Sequence, residues 1–484
     1  MRLPDPVRNG LTRLLERDAA ARGEQPPALP EVSPPSQKHP LPARLALWLN
    51  DATGQMRWKR ARPYAADELA GHLTDQYEAF RDQGMDEAHA AEATIREMGD
   101  AVETGTALDR AWRPAPDWVM LGLVLGVAVA GIMLQYLLHT IWPDAGGPSP
   151  TLLRQVIAYL AGAVCLFAGY FLDYTWLGRH AKTTYVVWLL ATVGAIFISP
   201  MANGKLLYPE YAVWMFPAVF AAMLYAQRGK GTKGVAVCMV IMLPMVVTAF
   251  IVPTLTAIVT LGLVCTALLC SAVWQGYFSG NRKRQLVLAL SPVALFAVYM
   301  GWRICTNAHV RERMMVAFYP ALDIDNRGYM GATIWEALFG GIVAPEMSER
   351  RLNYYRADTS DFMLTAVKMQ WGWLAFALVL TVVLVLLARG FQLAHRQGGV
   401  LAKMMSWAIM LTFACQTMAY VLQNFGIILF AAYGLPLFSY GGLYLCQTML
   451  LFGLLLSTRR TGQIESGAKP VRIGRKAHQA RGVR

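Results

Sequence analysis

Charge is what this sequence has least of. Only 15% of its 484 residues are Asp, Glu, Lys or Arg, while 55% are hydrophobic. A water-soluble domain carries about a quarter of its residues as charges, so a chain this long and this poor in charge excludes a wholly water-facing fold. Cysteine is scarce too. Cys165, Cys238, Cys265, Cys270, Cys415 and Cys446 lie inside apolar runs, where a thiol packs as a small hydrophobe. Cys305 stands just past a run with no evident partner. Neither a disulfide framework nor a zinc-ligand spacing is present. An apolar stretch near the N-terminus is missing as well, so no cleaved signal peptide is expected. Nor does the net charge of +13 form a basic face. It sits in short gaps between apolar runs, in the tail after Thr458 and near the N-terminus, which argues against a nucleic-acid partner.

What is present in abundance is long apolar runs. Ten of them, each of about 20 residues, fall near 118–142, 152–175, 184–200, 211–227, 234–252, 254–274, 285–303, 361–388, 401–425 and 437–457. The fold class is therefore all-α, a polytopic membrane protein with about ten transmembrane helices. Pro253 alone separates the fifth run from the sixth, which predicts a tight turn or a re-entrant break there. The gaps after the second, fourth, sixth and eighth runs carry Arg179 and Lys182; Arg228, Lys230 and Lys233; Arg282, Lys283 and Arg284; and Arg389 and Arg396. The intervening short gaps carry almost no basic residues. By the positive-inside rule both termini are expected in the cytoplasm.

Outside the runs the chain divides further. Residues 1–40, rich in Pro, Arg and Glu, read as a disordered arm. Residues 41–113 read as a small helical domain. Leu69, Leu73, Tyr77 and Phe80 share one helical face and Gly84 ends that helix. Asp86 then caps a second helix whose buried stripe is expected to be Ala88, Ala91, Ile95 and Met98. Residues 117–460 form the membrane domain, and 461–484 a basic cytoplasmic tail. Residues 304–360, between the seventh and eighth runs, are expected on the outer side and to dip back to the membrane surface. A connection this long is more often functional than idle.

Three outer segments converge on one end of the expected bundle. Asp361 starts the eighth run, Asn424 lies in "YVLQNFG" at the end of the ninth, and "GLPLFSYGG" leads into the tenth. Each has a plain structural reading. Asp361 could cap the eighth helix. Ser439, Tyr440, Gly441 and Gly442 could be a close-packed helix start, and Arg311, Arg313, Arg327, Arg350, Arg351 and Arg356 a solvated loop face. Glu336, Glu346 and Asp358 are further loop carboxylates, and Asp173 reads as a structural polar residue near the opposite end.

The stretch "GLPLFSYGG", followed by an apolar run and "STRR", resembles the closing signature of the SEDS family (shape, elongation, division and sporulation), typified by RodA, FtsW and SpoVE. "NRGYMGATIWEALFGG" resembles the family's "GYQ…GG" stretch, and "TSDFMLTAVKMQWGWL" its "TDFIFA…EE-x-G" stretch. The domain at 41–113 is similar to the small prefix domain of some bacterial permeases and regulators. The resemblance implies a peptidoglycan glycosyltransferase that polymerises lipid II in the bacterial cytoplasmic membrane, with a class B penicillin-binding protein beside it. It implies Asp361, matching the key acidic residue of the family's T-D-F motif, as the catalytic residue, a carboxylate placed to act as general base. Substrate contacts are expected from Arg311, Arg313, Glu210, Asn424, Ser439, Tyr440, Gly441 and Gly442. The leaving diphosphate calls for positive charge from Arg or Lys or from a divalent cation, Mg or Mn. The sequence departs from the family where two acids are expected, reading Met369-Gln370. It departs again at Thr254 in place of an Asp, at "LYPEY" around Glu210 and at Leu443. A lipid-precursor flippase and a non-catalytic scaffold are the alternative readings.

Overall fold

The computed structural model describes residues 41–114, 116–141, 150–202, 205–252, 255–340, 361–429 and 434–467. The expected turn at Pro253, the substituted Thr254, the cations Arg350, Arg351 and Arg356 and the carboxylates Glu346 and Asp358 lie outside these residues, as do the arm and most of the tail. The chain divides into two compact units, Met1–Ala111 and Trp112–Arg484.

In the first unit four helices follow one another: α1 (Ala43–Gly54), α2 (Arg62–Asp82), α3 (Glu87–Met98) and α4 (Ala101–Trp112). Leu45, Trp48, Ala52, Leu69, Leu73 and Ala91 form its core. The Trp48 indole donates to the Gly99 carbonyl at 3.0 Å, tying α1 to the end of α3. Asp86 is the N-cap residue of α3, but its carboxylate engages the His89 ring rather than the helix amides. That contact holds the Asp86 carboxyl below its usual range. The buried stripe of α3 is Ala90, Ala91 and Thr94, with Ile95 and Met98 partly buried. Ala88, expected in the stripe, is exposed, because the contact face is rotated towards Ala90 and Thr94.

The second unit holds the membrane helices: α5 (Trp118–Ile141), α6 (Pro150–Phe171), a short α7 (Tyr174–Arg179), α8 (Ala181–Ile198), α9 (Leu207–Ala226), α10 (Gly231–Ile251), α11 (Leu255–Trp274) and α12 (Arg282–Thr306). They continue, after two loop helices, with α15 (Met363–His395), α16 (Val400–Asn424) and α17 (Gly442–Gly467). Among the described residues nine of these are long and apolar enough to cross a membrane, α5, α6, α8 to α12, α15 and α16. A helix also stands at the tenth expected place, α17, which mixes Gln447, Thr448, Ser457, Thr458, Arg459 and Arg460 into its apolar run. The chain is a multi-pass membrane protein.

Lipid tails are as apolar as the side chains, so packing rather than water exclusion holds such helices together. α9 is the central helix; Phe216 and Phe220 are fully buried, and its neighbours include α8, α11 and α16. Phe413 of α16 stacks on Phe452 of α17 with centroids 4.5 Å apart. The tightest pair is α6 with α17. A Cβ on Gly169 would lie 2.4 Å from the Leu450 carbonyl oxygen, and one on Gly453 2.1 Å from that of Leu166, so neither position has room for a side chain. Asp117 caps α5, accepting from the Met120 amide at 2.9 Å, and pairs with Arg389 of α15 at 3.0 Å. Asp173 caps α7 through the Thr175 amide, the structural role read from the sequence. A two-residue hairpin, β1 (Met201–Ala202) and β2 (Lys205–Leu206), joins α8 to α9.

The segment after α12 is not an open loop over its described part. It folds into α13 (Ala308–Phe318), a 3-10 turn at Pro320–Leu322, and α14 (Tyr329–Phe339). The eighth run is not one helix either. At Gly372 the backbone adopts φ 80° and ψ −174°, which breaks α15 into Met363–Trp371 and a longer second part.

Candidate functional site

The site is assembled at the end of the bundle where α14, the start of α15, the end of α16 and the loop before α17 meet. The Asp361–Phe362 step sets it up. Asp361 is exposed, whereas Phe362 is 2% exposed and packs with Ile334 and Leu338 of α14 and with Phe425 and Ile428 after α16. One residue anchors inward while its neighbour is presented outward. The N-cap residue of α15 is Phe362, which makes no side-chain cap bond.

Asn424 fixes the backbone around the acid. It is fully buried, and its amide uses both ends. Oδ1 accepts from the Thr365 amide and from the Thr365 hydroxyl, each at 3.0 Å. Nδ2 donates to the Asp361 carbonyl at 3.1 Å and to the Tyr420 carbonyl at 3.0 Å. Every polar atom of the side chain is thereby satisfied by protein, as a buried amide requires. Asn424 was expected to contact substrate; sealed from solvent and fully bonded, it positions the Asp361 segment instead.

Tyr420, one turn earlier on α16, extends the clamp. Its hydroxyl accepts from the Met363 amide at 3.1 Å and from the Ser439 hydroxyl at 3.4 Å. Ser439 Oγ in turn accepts from the Leu435 amide at 2.7 Å. Ser439 is fully buried, which corrects the expectation that it lies on the rim of a cavity: it ties the "GLPLFSYGG" loop to itself and to α16. The first two membrane helices hold the same loop. Gln135 donates to the Phe438 carbonyl, Tyr159 donates to the Leu437 carbonyl at 2.6 Å, and Gln155 accepts from the Gly441 amide at 3.3 Å. Tyr444 donates to the Gly434 carbonyl. Leu437, buried at φ 65°, is the one non-glycine residue with positive φ among the described residues. Such a conformation costs about 1–3 kcal/mol and persists only where surrounding bonds fix it. Tyr440 is half-buried, and Gly442 is exposed as the first residue of α17.

Glu210 is buried in the first turn of α9. It lies within electrostatic reach of Tyr211, and Tyr211 of Tyr444, which places it beside the same network of tyrosines. α14 is pinned over this end by the Trp335 indole, which donates to the Phe425 carbonyl at 2.9 Å, and by Lys368 Nζ, which donates to the Ala337 carbonyl at 2.7 Å. Gln135, Gln155, Tyr159, Tyr420, Thr365 and Lys368 were not singled out in the sequence. Their only local signal is polarity inside apolar runs, a cue that marks intramembrane function or pairing.

Arg311 and Arg313 are exposed on α13. Arg313 lines a cavity of about 290 Å³ with His309, Arg327, Gly328, Gly331 and Gly426, among others, and Asp361 is not among the described lining residues. Among the described residues no group of three or more His, Cys, Asp or Glu side chains gathers to hold a metal ion.

Residues 117–463 match the sequence model of a family described as cell cycle proteins, FtsW, RodA and SpoVE. Among curated proteins, the chain is 26% identical over 214 residues to the probable peptidoglycan glycosyltransferase FtsW of Geobacter sulfurreducens, covering 43% of this chain and 54% of the relative. It is 24% identical over 196 residues to the protein of that name from Geobacter metallireducens, covering 40% and 52%. The chain thus spans about half the length of the curated relatives it matches. Among solved structures, a chain of a peptidoglycan synthase complex that coordinates polymerization and crosslinking aligns with a TM-score of 0.57 at 21% identity. That alignment covers 72% of this chain and 98% of the other, a likeness of fold. With the match extending through the clamped loop and every membrane helix, the chain belongs to the FtsW, RodA and SpoVE family of cell cycle proteins.

Proposed function

We propose that this protein is a peptidoglycan glycosyltransferase that joins lipid II units into glycan strands, with the Asp361 end of the bundle facing outward from the bacterial cytoplasmic membrane. The observation that carries the reading is the presentation of Asp361: an exposed carboxylate whose backbone is held by a buried amide and whose neighbour Phe362 is locked in a core. The likeness to curated relatives named probable peptidoglycan glycosyltransferase supports the choice of reaction.

In that reaction Asp361 takes the proton from an acceptor sugar hydroxyl. The oxygen forms a bond to the anomeric carbon of the donor, and the bond from that carbon to the lipid diphosphate breaks. The diphosphate leaves with the electron pair. A positioned general base of this kind contributes about 10²–10⁴-fold. A class B penicillin-binding protein is the proposed partner that crosslinks the product. A non-catalytic scaffold is the second reading, favoured by Met369 and Gln370 where the family has two acids.

Purified full-length protein with its partner, given labelled lipid II, separates the two. Wild type should make polymer, and Asp361→Ala should lower the rate by about 10²-fold or more. Equal polymer from both proteins would remove Asp361 from catalysis. No polymer from either, where another family member works under the same conditions, would favour the scaffold.

A further inference from the structure

We propose that the loop between α1 and α2 is a docking surface for a lipid leaflet bearing anionic headgroups. Residues 52–66 carry Arg57, Lys59, Arg60 and Arg62 and no acid, although residues 41–113 hold thirteen acids against nine bases. Basic charge is therefore gathered at one place in an otherwise acidic domain. Arg57, Lys59 and Arg60 are exposed, and Trp58 beside them is half-buried. Asp51 and Asp67 bracket the stretch.

The loop is built into the unit. The Arg57 amide donates to Oδ1 of the buried Asp109 at 2.7 Å, which ties the loop to the last turn of α4. Arg62 turns back on the loop, with Nε donating to the Met56 carbonyl at 2.8 Å and Nη2 to the Gly54 carbonyl at 3.1 Å. A Cβ on Gly105 would lie 2.2 Å from the Ala52 carbonyl oxygen, so α4 crosses the end of α1 in close contact. Arg110, exposed next to Asp109, adds a fifth base at this end of the unit. The far end of α2 has the opposite sign. That helix runs 21 residues, about 30 Å, and beyond it Asp82, Asp86 and Glu87 are exposed beside Arg81.

This polarity selects the partner. Anionic headgroups attract clustered Lys and Arg next to a membrane helix, and a Trp within the cluster suits the headgroup level. The tether to the bilayer is short. Residues 113–117 join α4 to α5, and five residues span no more than about 20 Å when extended. The loop is thereby kept at high effective concentration beside a leaflet. Each base near an anionic surface changes the ratio of docked to free unit about fivefold. Docking of this kind does not depend on the proposed glycosyl transfer.

The test uses full-length protein in nanodiscs of phosphatidylcholine, alone or mixed with phosphatidylglycerol. Both leaflets are accessible in a nanodisc, so the outcome is independent of sidedness. Amide hydrogen exchange over residues 55–62 should slow in the anionic discs at low salt, and the slowing should shrink at high salt as surface charges are screened. Arg57→Gln combined with Lys59→Gln should lower the docked-to-free ratio about 25-fold and remove the slowing. Unchanged exchange around Leu69 and Leu73 would show that this variant keeps its core. Arg110→Gln, outside the loop, should weaken docking about fivefold and gives the same reading if the double variant loosens that core. Arg96→Gln, on α3, should behave as wild type. Asp361→Ala should keep the slowing, so the surface stands or falls apart from the proposed catalysis. Equal exchange in neutral and anionic discs, or slowing that persists in both loop-end variants, overturns the proposal. Slowing by soluble polyglutamate in neutral discs, with none from phosphatidylglycerol, would assign the loop to an acidic protein and also overturn it.

Discussion

Asn424 shows how much a single buried side chain decides at this site. It bridges the end of α16 to the turn that carries Asp361, and it does so with two acceptor and two donor bonds. Truncation leaves the Thr365 amide and the Asp361 carbonyl without their partner, at about 1–3 kcal/mol for each buried group left unpaired. Asn424→Ala should therefore lower the melting temperature in detergent and also lower polymerisation, although Asp361 is intact. Asn424→Asp is the sharper variant. A carboxylate cannot donate to the Asp361 and Tyr420 carbonyls, so it should impair activity as Ala does while keeping nearly the same volume. Retention of full activity by both variants would show that the clamp does not position Asp361.

At the scale of elements, α15 and α17 each depend on a backbone feature. Gly372 sits in a region of φ and ψ that is essentially restricted to glycine. No neighbouring atom lies within 4 Å of where a Cβ would be, so conformation and not space is the constraint. Gly372→Ala should destabilise the protein by about 1–3 kcal/mol or straighten α15 and shift its first two turns. Thermal denaturation in detergent reads the first outcome, and loss of polymerisation with unchanged stability reads the second. The α6–α17 crossing depends on space instead. Gly453→Leu has no route to accommodate a side chain 2.1 Å from a main-chain oxygen, and it should separate the helices and abolish recovery of folded monodisperse protein. Recovery equal to wild type would mean that the two helices cross less closely. The separate hold that α6 has on the loop, through Gln155 and Tyr159, explains why this crossing bears on the site.

At the scale of the whole molecule, the prediction concerns sidedness. Cys305 is exposed near the end of α12, on the segment that leads into α13, whereas Cys238 and Cys265 are buried within helices. If this end faces outward, an impermeant maleimide should label Cys305 in intact spheroplasts, and Cys305→Ser should remove the signal. Labelling that requires permeabilisation would invert the topology and place Asp361 in the cytoplasm.

The same three scales separate what the sequence could say from what it could not. The membrane helices were legible because a span needs about 20 apolar residues, and that need is written locally. The place of Asp361 at the start of the eighth run and of the "GLPLFSYGG" loop before the tenth was legible because the family's motifs keep their order along the chain. The break at Gly372 was not, since one glycine between two tryptophans looks like any other residue of an apolar run. Ser439 and Asn424 were visible as polar residues but were misjudged as substrate contacts.

Amino-acid order alone determined that the chain is helical, multi-pass and a member of its family, because each follows from local apolarity or motif succession. Only the tertiary structure decided which polar groups face a partner and which face the cavity. The physical reason is that a polar group among packed helices must be paired within the protein, and its partner lies tens to hundreds of residues away, as Asn424 does from Thr365 and Tyr159 from Leu437.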